Sequence, residues 1–189
     1  MNTLMTLLMA CLLLIACGTP MPDTAKVADA FYTAERTAAL FTAYAGHGYG
    51  EGPVEVNGIR YERFTLCDTM TELAGMVEDS FAQETAAELL AATSYEGHPL
   101  YVEQDGVLYR FSGNIAQFEY RDSAAEVVGV RAGDGVIYVD VSATFDIMDE
   151  PLTVTHTYTC VMENGGYRFT GEFVLPFTVV YNAWLGRDA

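Results

Sequence analysis

Asn57-Gly58, Asp105-Gly106, Gly133-Asp134-Gly135 and Asn164-Gly165-Gly166 punctuate runs of β-branched and aromatic residues, and this recurrence constrains the fold more than any other feature. Asn, Asp and Gly tolerate the positive φ that a tight hairpin requires at both central positions, so each site predicts a pair of antiparallel strands. Residues 54–56 and 59–66 flank the first turn, and 100–103 and 107–111 the second. Residues 127–131 and 136–145 flank the third, 152–162 and 167–174 the fourth, and a further strand is expected over 115–121 after a Gly-Asn turn. Along 136–145, Ile137, Val139, Val141, Ala143 and Phe145 alternate with Tyr138, Asp140, Ser142 and Thr144, which predicts one core face and one wetter face.

The first third of the chain has a different period. Val27, Phe31, Ala34, Ala38, Phe41 and Ala45 recur at spacings of four and three, predicting an amphipathic helix over 24–45. It stops in the glycine-dense stretch 46–53, which ends in Pro53. A helix precedes these glycines and none follows, the reverse of the context a phosphate-cradling loop needs, so a mobile loop is expected. Thr69-Met70-Thr71-Glu72 has the spacing of a capping box, with Leu73, Met76, Val77 and Phe81 following on one helical face. A second helical stretch is expected over 85–92, carrying Ala86, Leu89 and Leu90. The class is therefore α+β: N-terminal helices packed on a curved antiparallel β-sheet, an outline similar to the cystatin-like and NTF2-like architectures.

Leu14-Ile15-Ala16-Cys17 closes an uncharged apolar run that begins at Leu4, and the pattern resembles a bacterial lipobox. The run's roughly 13 residues fit the h-region of a signal peptide and fall short of the ~20 needed to cross a bilayer as a helix. The resemblance implies a lipoprotein signal peptide over 1–17, lipid attachment at Cys17, a short tether over 18–23 and a single α+β domain over 24–185. It implies an extracytoplasmic location, lipid-anchored at the cell membrane, on the bacterial cell surface or the periplasmic face. Fully extended, the tether reaches roughly 20 Å at ~3.5 Å per residue, which keeps the domain close to the membrane.

Residues 1–17 carry no charged side chain, so the formal net charge of −17 belongs to the remainder. Nine Lys and Arg against 26 Asp and Glu argue against nucleic acid, whose binding requires cations that displace its counterions. Anionic lipid headgroups are disfavoured for the same reason. The acidic surface serves solubility or steers a basic partner. A hydrophobic content of 51%, with 12 Tyr and 10 Phe, supports a packed core rather than disorder.

Cys11 leaves with the signal and Cys17 is taken by lipid, so Cys67 and Cys160 remain, either as a disulfide or as two buried thiols. A bridge between them would close a loop of about 93 residues, worth roughly 4–5 kcal/mol on chain-entropy grounds.

Three histidines are the natural candidates for acid–base chemistry. His47 and His98 lie in expected loops with no cysteine or second histidine at metal-ligand spacing. His156 shares a strand face with Leu152, Val154, Tyr158 and Cys160. It is either a pocket acid or base beside a tyrosine or a core histidine satisfied by a hydrogen bond. Cys160 lies ~13 Å along the strand from it, too far for direct proton transfer. Neither a nucleophile elbow nor a zinc-binding His-Glu-x-x-His helix occurs. No enzymatic activity, cofactor or metal is expected.

Asn57-Gly58-Ile59-Arg60-Tyr61, Thr69 through Leu73, Phe81 through Leu90, and Leu100 followed by Asp105-Gly106-Val107-Leu108-Tyr109 occur in an order that resembles the DL-endopeptidase inhibitor (IseA) family. The resemblance covers about 53–112 and rests on short motifs. It implies an exported, non-enzymatic protein that binds a secreted cell-wall hydrolase, a peptidoglycan DL-endopeptidase, and blocks its active site. The resemblance assigns no inhibitory contact residue. From a different class comes a small-ligand-binding, NTF2-like domain, with an aromatic-lined pocket between the first helix and the sheet in which Tyr138, His156 and Tyr158 supply polar contacts.

Overall fold

The structure, a computed structural model, describes residues 22–41, 49–94, 96–112, 125–147, 150–171 and 173. The expected signal peptide, most of the tether, residues 42–45 of the expected first helix and the expected strand over 115–121 lie outside the described residues.

At all four hairpins the turn chemistry acts as expected. Asn57, Asp105, Asp134 and Asn164 have φ between 51° and 54°, and the glycine after each has φ between 74° and 79°. Two successive left-handed residues give a turn whose twist matches that of the strands, so the hairpins close tightly. They join β1 (Tyr49–Val56) to β2 (Ile59–Phe64), β3 (Tyr101–Gln104) to β4 (Val107–Phe111), β5 (Glu126–Gly133) to β6 (Val136–Ile147) and β7 (Glu150–Glu163) to β8 (Gly166–Thr170).

The α+β class stands, and the described strands form two sheets rather than one curved sheet. The first has the order β1-β2-β4-β3 and the second the order β5-β6-β7-β8. The first forms because β4 pairs with β2, Tyr61 opposite Phe111, so the second hairpin docks on the first despite the helices between them in sequence. Hairpin chemistry is local and specifies each pair; which pairs then join is decided by side-chain packing across the chain.

Among the described residues, three helices accompany the sheets: α1 (Thr24–Ala39), α2 (Met70–Ser80) and α3 (Gln83–Leu90). Asp23 caps α1 by accepting from the Lys26 amide at 3.3 Å. Thr69 accepts from the Glu72 amide at 3.2 Å while Glu72 accepts from the Thr69 amide at 3.3 Å, completing the expected capping box. Leu73 and Val77 are buried as the stripe predicts. Met76, expected on the same face, is exposed: it lies at the margin of the buried stripe, about 100° around the helix from Val77. Within the described residues, no helix is long and apolar enough to cross a membrane.

The helices tie the two sheets together. Phe31 of α1 lies at the centre of an aromatic cluster, with ring centroids 5.2 Å from Tyr158, 5.9 Å from Phe169 and 5.5 Å from Phe173. Phe81, at the α2–α3 junction, lies 5.1 Å from Phe173, and the Ala82 amide donates to the Phe169 carbonyl at 2.9 Å. That junction covers the edge of β8, where an open row of backbone groups would otherwise invite another strand. At the other end of α1, the Tyr101 hydroxyl of the first sheet donates to the Leu40 carbonyl at 2.6 Å and the Tyr101 ring packs on Phe41 and Phe64. The buried hydroxyls of Thr37 and Ser80, 3.1 Å apart, join α1 to α2.

Candidate functional site

The strand register divides the expected pocket residues between two faces. On β6–β7, Val139 stands opposite Tyr158 and Val141 opposite His156, whereas Tyr138 stands opposite Thr159. Because directly opposed residues share a face, Tyr158 and His156 point to the core side and Tyr138 to the outer side. Period-two spacing places Tyr138 with Asp140 and Ser142; it cannot share a pocket with the other two. Tyr158 is buried, with its ring packed against Phe31 and Phe173. His156 is half-buried at the margin of this cluster, its ring 4.7 Å from Tyr158 in an edge-to-face arrangement. The pair forms part of the aromatic packing.

Cys67 and Cys160 are free thiols. Cys160 is fully buried between Ile137 and Phe169 on the neighbouring strands, and burial pushes its thiol up to about 12. Burial, followed by the negative charges of Glu72 and Asp68, pushes Cys67 up to about 11. Neither is a thiolate at neutral pH, so neither is an activated nucleophile. His98 has its Nε2 3.3 Å from the Glu96 carboxylate and its ring against Phe111. His47 and Cys17 lie outside the described residues. Among the described residues, no group of three or more His, Cys, Asp or Glu side chains converges to hold a metal ion.

The most organised polar constellation lies on the outer face of the second sheet. The Arg131 guanidinium lies over the Tyr138 ring, 5.1 Å from its centroid, and Arg131 Nη1 donates to Asp140 Oδ2. Thr157 Oγ1 donates to Asp140 Oδ1 at 2.5 Å. The hydrogen bond from Thr157, then that from Arg131 and its positive charge, hold the Asp140 carboxyl below the usual carboxylate range against the opposing effect of burial. Gly129 stands opposite Asp140 in the register set by the Asp134-Gly135 turn, and the register shifts only beyond it, between Val127 and Gly129. A Cβ at Gly129 would lie 3.1 Å from Asp140 Oδ2, so the missing side chain gives the carboxylate room beside Arg131.

Threonine hydroxyls extend this constellation across β6, β7 and β8. Thr144 and Thr153 are hydrogen-bonded at 2.9 Å and Thr159 and Thr170 at 2.7 Å, with Thr155 between them opposite Ser142. Counting back from the Asp134-Gly135 turn already sets Arg131 opposite Tyr138, so this contact could be read from sequence. The same count sets Gly129 opposite Asp140, whereas the register shift beyond it, between Val127 and Gly129, has no such signal.

A second feature that alternation alone conceals is Arg110, which is 1% exposed on β4 and shares the face of buried Leu108. It lies opposite Tyr101 on β3 and Glu62 on β2. A buried guanidinium is tolerated only where hydrogen bonds or charges offset its lost hydration.

No family model matches this chain, and no curated protein matches it. What the fold defines is an α+β protein of two four-stranded antiparallel sheets bridged by three helices among the described residues.

Proposed function

We propose that the chain is a lipid-anchored, non-catalytic interaction protein of the bacterial envelope that binds a secreted peptidoglycan DL-endopeptidase and restrains it near the membrane. The observation that carries this proposal is the ordered series of motifs between Asn57 and Tyr109 that resembles the DL-endopeptidase inhibitor family. Those motifs are contributed by one contiguous part of the fold, β1–β4 with α2 and α3. The Leu14–Cys17 lipobox pattern supports the anchor, and the few residues before α1 support a short working distance. A net charge of −17 supports a basic partner, since complementary fields raise the rate of encounter.

The test uses the full chain in detergent micelles, added in excess to a DL-endopeptidase digesting peptidoglycan. Slowed hydrolysis together with co-migration of the two proteins is expected. Undiminished hydrolysis with no detectable binding overturns the proposal.

A further inference from the structure

We infer that the chain meets the lipid surface end-on, through the end of the second sheet that carries the β5–β6 and β7–β8 turns, with the first sheet held on the membrane-distal side by α1. The lipid anchor at Cys17 is taken from the proposed function; which surface faces the lipid is read from the fold.

The Asp23 amide donates to the Tyr167 hydroxyl of β8 at 3.2 Å, and the Asp23 carboxylate caps α1. The point where the tether enters the fold is thus tied to the β7–β8 hairpin. In the up-and-down order β5-β6-β7-β8, the turns at Asp134-Gly135 and Asn164-Gly165 lie at one end of the sheet and the β6–β7 connection at the other. The steps from Cys17 to Asp23, at ~3.5 Å each, reach roughly 20 Å, so the turn-bearing end stays within that distance of the lipid.

From this end, α1 and the strands run side by side. Phe31, eight residues along α1 from Asp23, packs on Tyr158, four residues along β7 from Met162, the cross-strand partner of Tyr167. Rises of about 1.5 Å per helical residue and about 3.4 Å per strand residue make these paths about 12 and 14 Å, which match. Leu40, about 25 Å along the helix from Asp23, accepts from the Tyr101 hydroxyl of the first sheet at 2.6 Å. β7, from Glu163 back to Glu150, extends about 45 Å in the same direction.

Charge keeps this long axis off the membrane. Beside the tether, Asp23 is paired with Lys26 and Asp79 with Arg168, whereas the chain as a whole carries −17. An anionic leaflet repels the acidic body while the tether retains the turn-bearing end. Met162, 53% exposed opposite Tyr167, gives that end an apolar side chain beside an amphipathic ring suited to headgroup depth. A partner engaged by the first sheet is therefore a soluble or wall-bound protein beyond the headgroups, not one embedded in the bilayer.

The lipidated chain, carrying Cys67→Ala with either Glu163→Cys or Thr153→Cys, is labelled with a fluorescent donor and placed on phosphatidylcholine–phosphatidylglycerol vesicles containing an acceptor lipid. Cys160 is fully buried and stays unlabelled. Both label sites are exposed on β7, about 34 Å apart along the strand. Quenching should be severalfold stronger at position 163 than at 153, and the gap should narrow between about 50 and 500 mM salt as screening lets the body tilt. Unchanged thermal unfolding confirms that each variant is folded, and Lys26→Cys, at the exposed start of α1, serves as a second near site. Equal quenching at near and far sites, or stronger quenching at the far one, overturns the inference and leaves the anchor standing. Absence of quenching at every site removes the anchor and this inference with it. Endopeptidase inhibition by the same chain on soluble muropeptides is scored separately, and its loss with the quenching gap intact removes only the proposed inhibition.

Discussion

Asp140 shows how much one side chain on the solvent face of a strand can depend on its neighbours. Its carboxyl is held below the ordinary 3.8 chiefly by the Thr157 hydroxyl and then by Arg131. Because the folded-state value is depressed, the ionised form stabilises the fold above the unfolded value, and the contribution is lost as pH falls through the folded one. Asp140→Asn should therefore lower the melting temperature at pH 7, and the gap from the unsubstituted chain should close as pH drops below about 3.8. A gap that stays constant down to pH 2 would remove the carboxylate from the explanation. The buried thiols make a second residue-scale prediction. With Cys160 pushed up to about 12 and enclosed by Ile137 and Phe169, alkylation of the native protein at pH 8 should spare it. After unfolding without reductant, peptide mass spectrometry should find Cys67 and Cys160 both alkylated. Failure to label either until reductant is added would mean that they are bridged.

At the scale of elements, the helices are secured by means of different strength. The reciprocal Thr69–Glu72 cap satisfies backbone amides at the start of α2, and Thr69→Ala should cost about 1 kcal/mol in urea unfolding. An unchanged midpoint would show that Glu72 alone, which also accepts from the Asp68 amide at 2.7 Å, suffices. Phe169 does more: its ring packs on Phe31 and Phe173, and its carbonyl accepts from Ala82 at the α2–α3 junction. Phe169→Ala should cost roughly 3–5 kcal/mol, because it removes buried aromatic area and leaves a cavity where helices meet sheet. A loss under about 1 kcal/mol would indicate that the cluster repacks around the gap. The hairpins were legible because Asn-Gly and Asp-Gly act within four residues; the split into two sheets was not, because β2 and β4 meet across more than two intervening helices' worth of chain.

For the whole molecule, Cys17 carries the largest consequence of the proposed function. Cys17→Ala in the producing cell should move the protein from the membrane fraction to a soluble one, read by fractionation and immunoblot, while the domain keeps its melting temperature. Unchanged membrane retention would remove the anchor and the short working distance together. The candidate site divides along the same line of scale as the fold. His156 and Tyr158 on one face, and Tyr138 on the other, follow from alternation once the register is known; the burial of Arg110 depends on what packs over β4. By itself, the sequence determined the α+β class, four hairpins, the helical stripe of α1 and the capping box of α2, since turn chemistry, periodicity and caps act between residues a few positions apart. Only the tertiary structure decided that the strands make two sheets and that Arg110 is enclosed. Those outcomes depend on contacts between distant segments, whose partners local patterns leave unspecified.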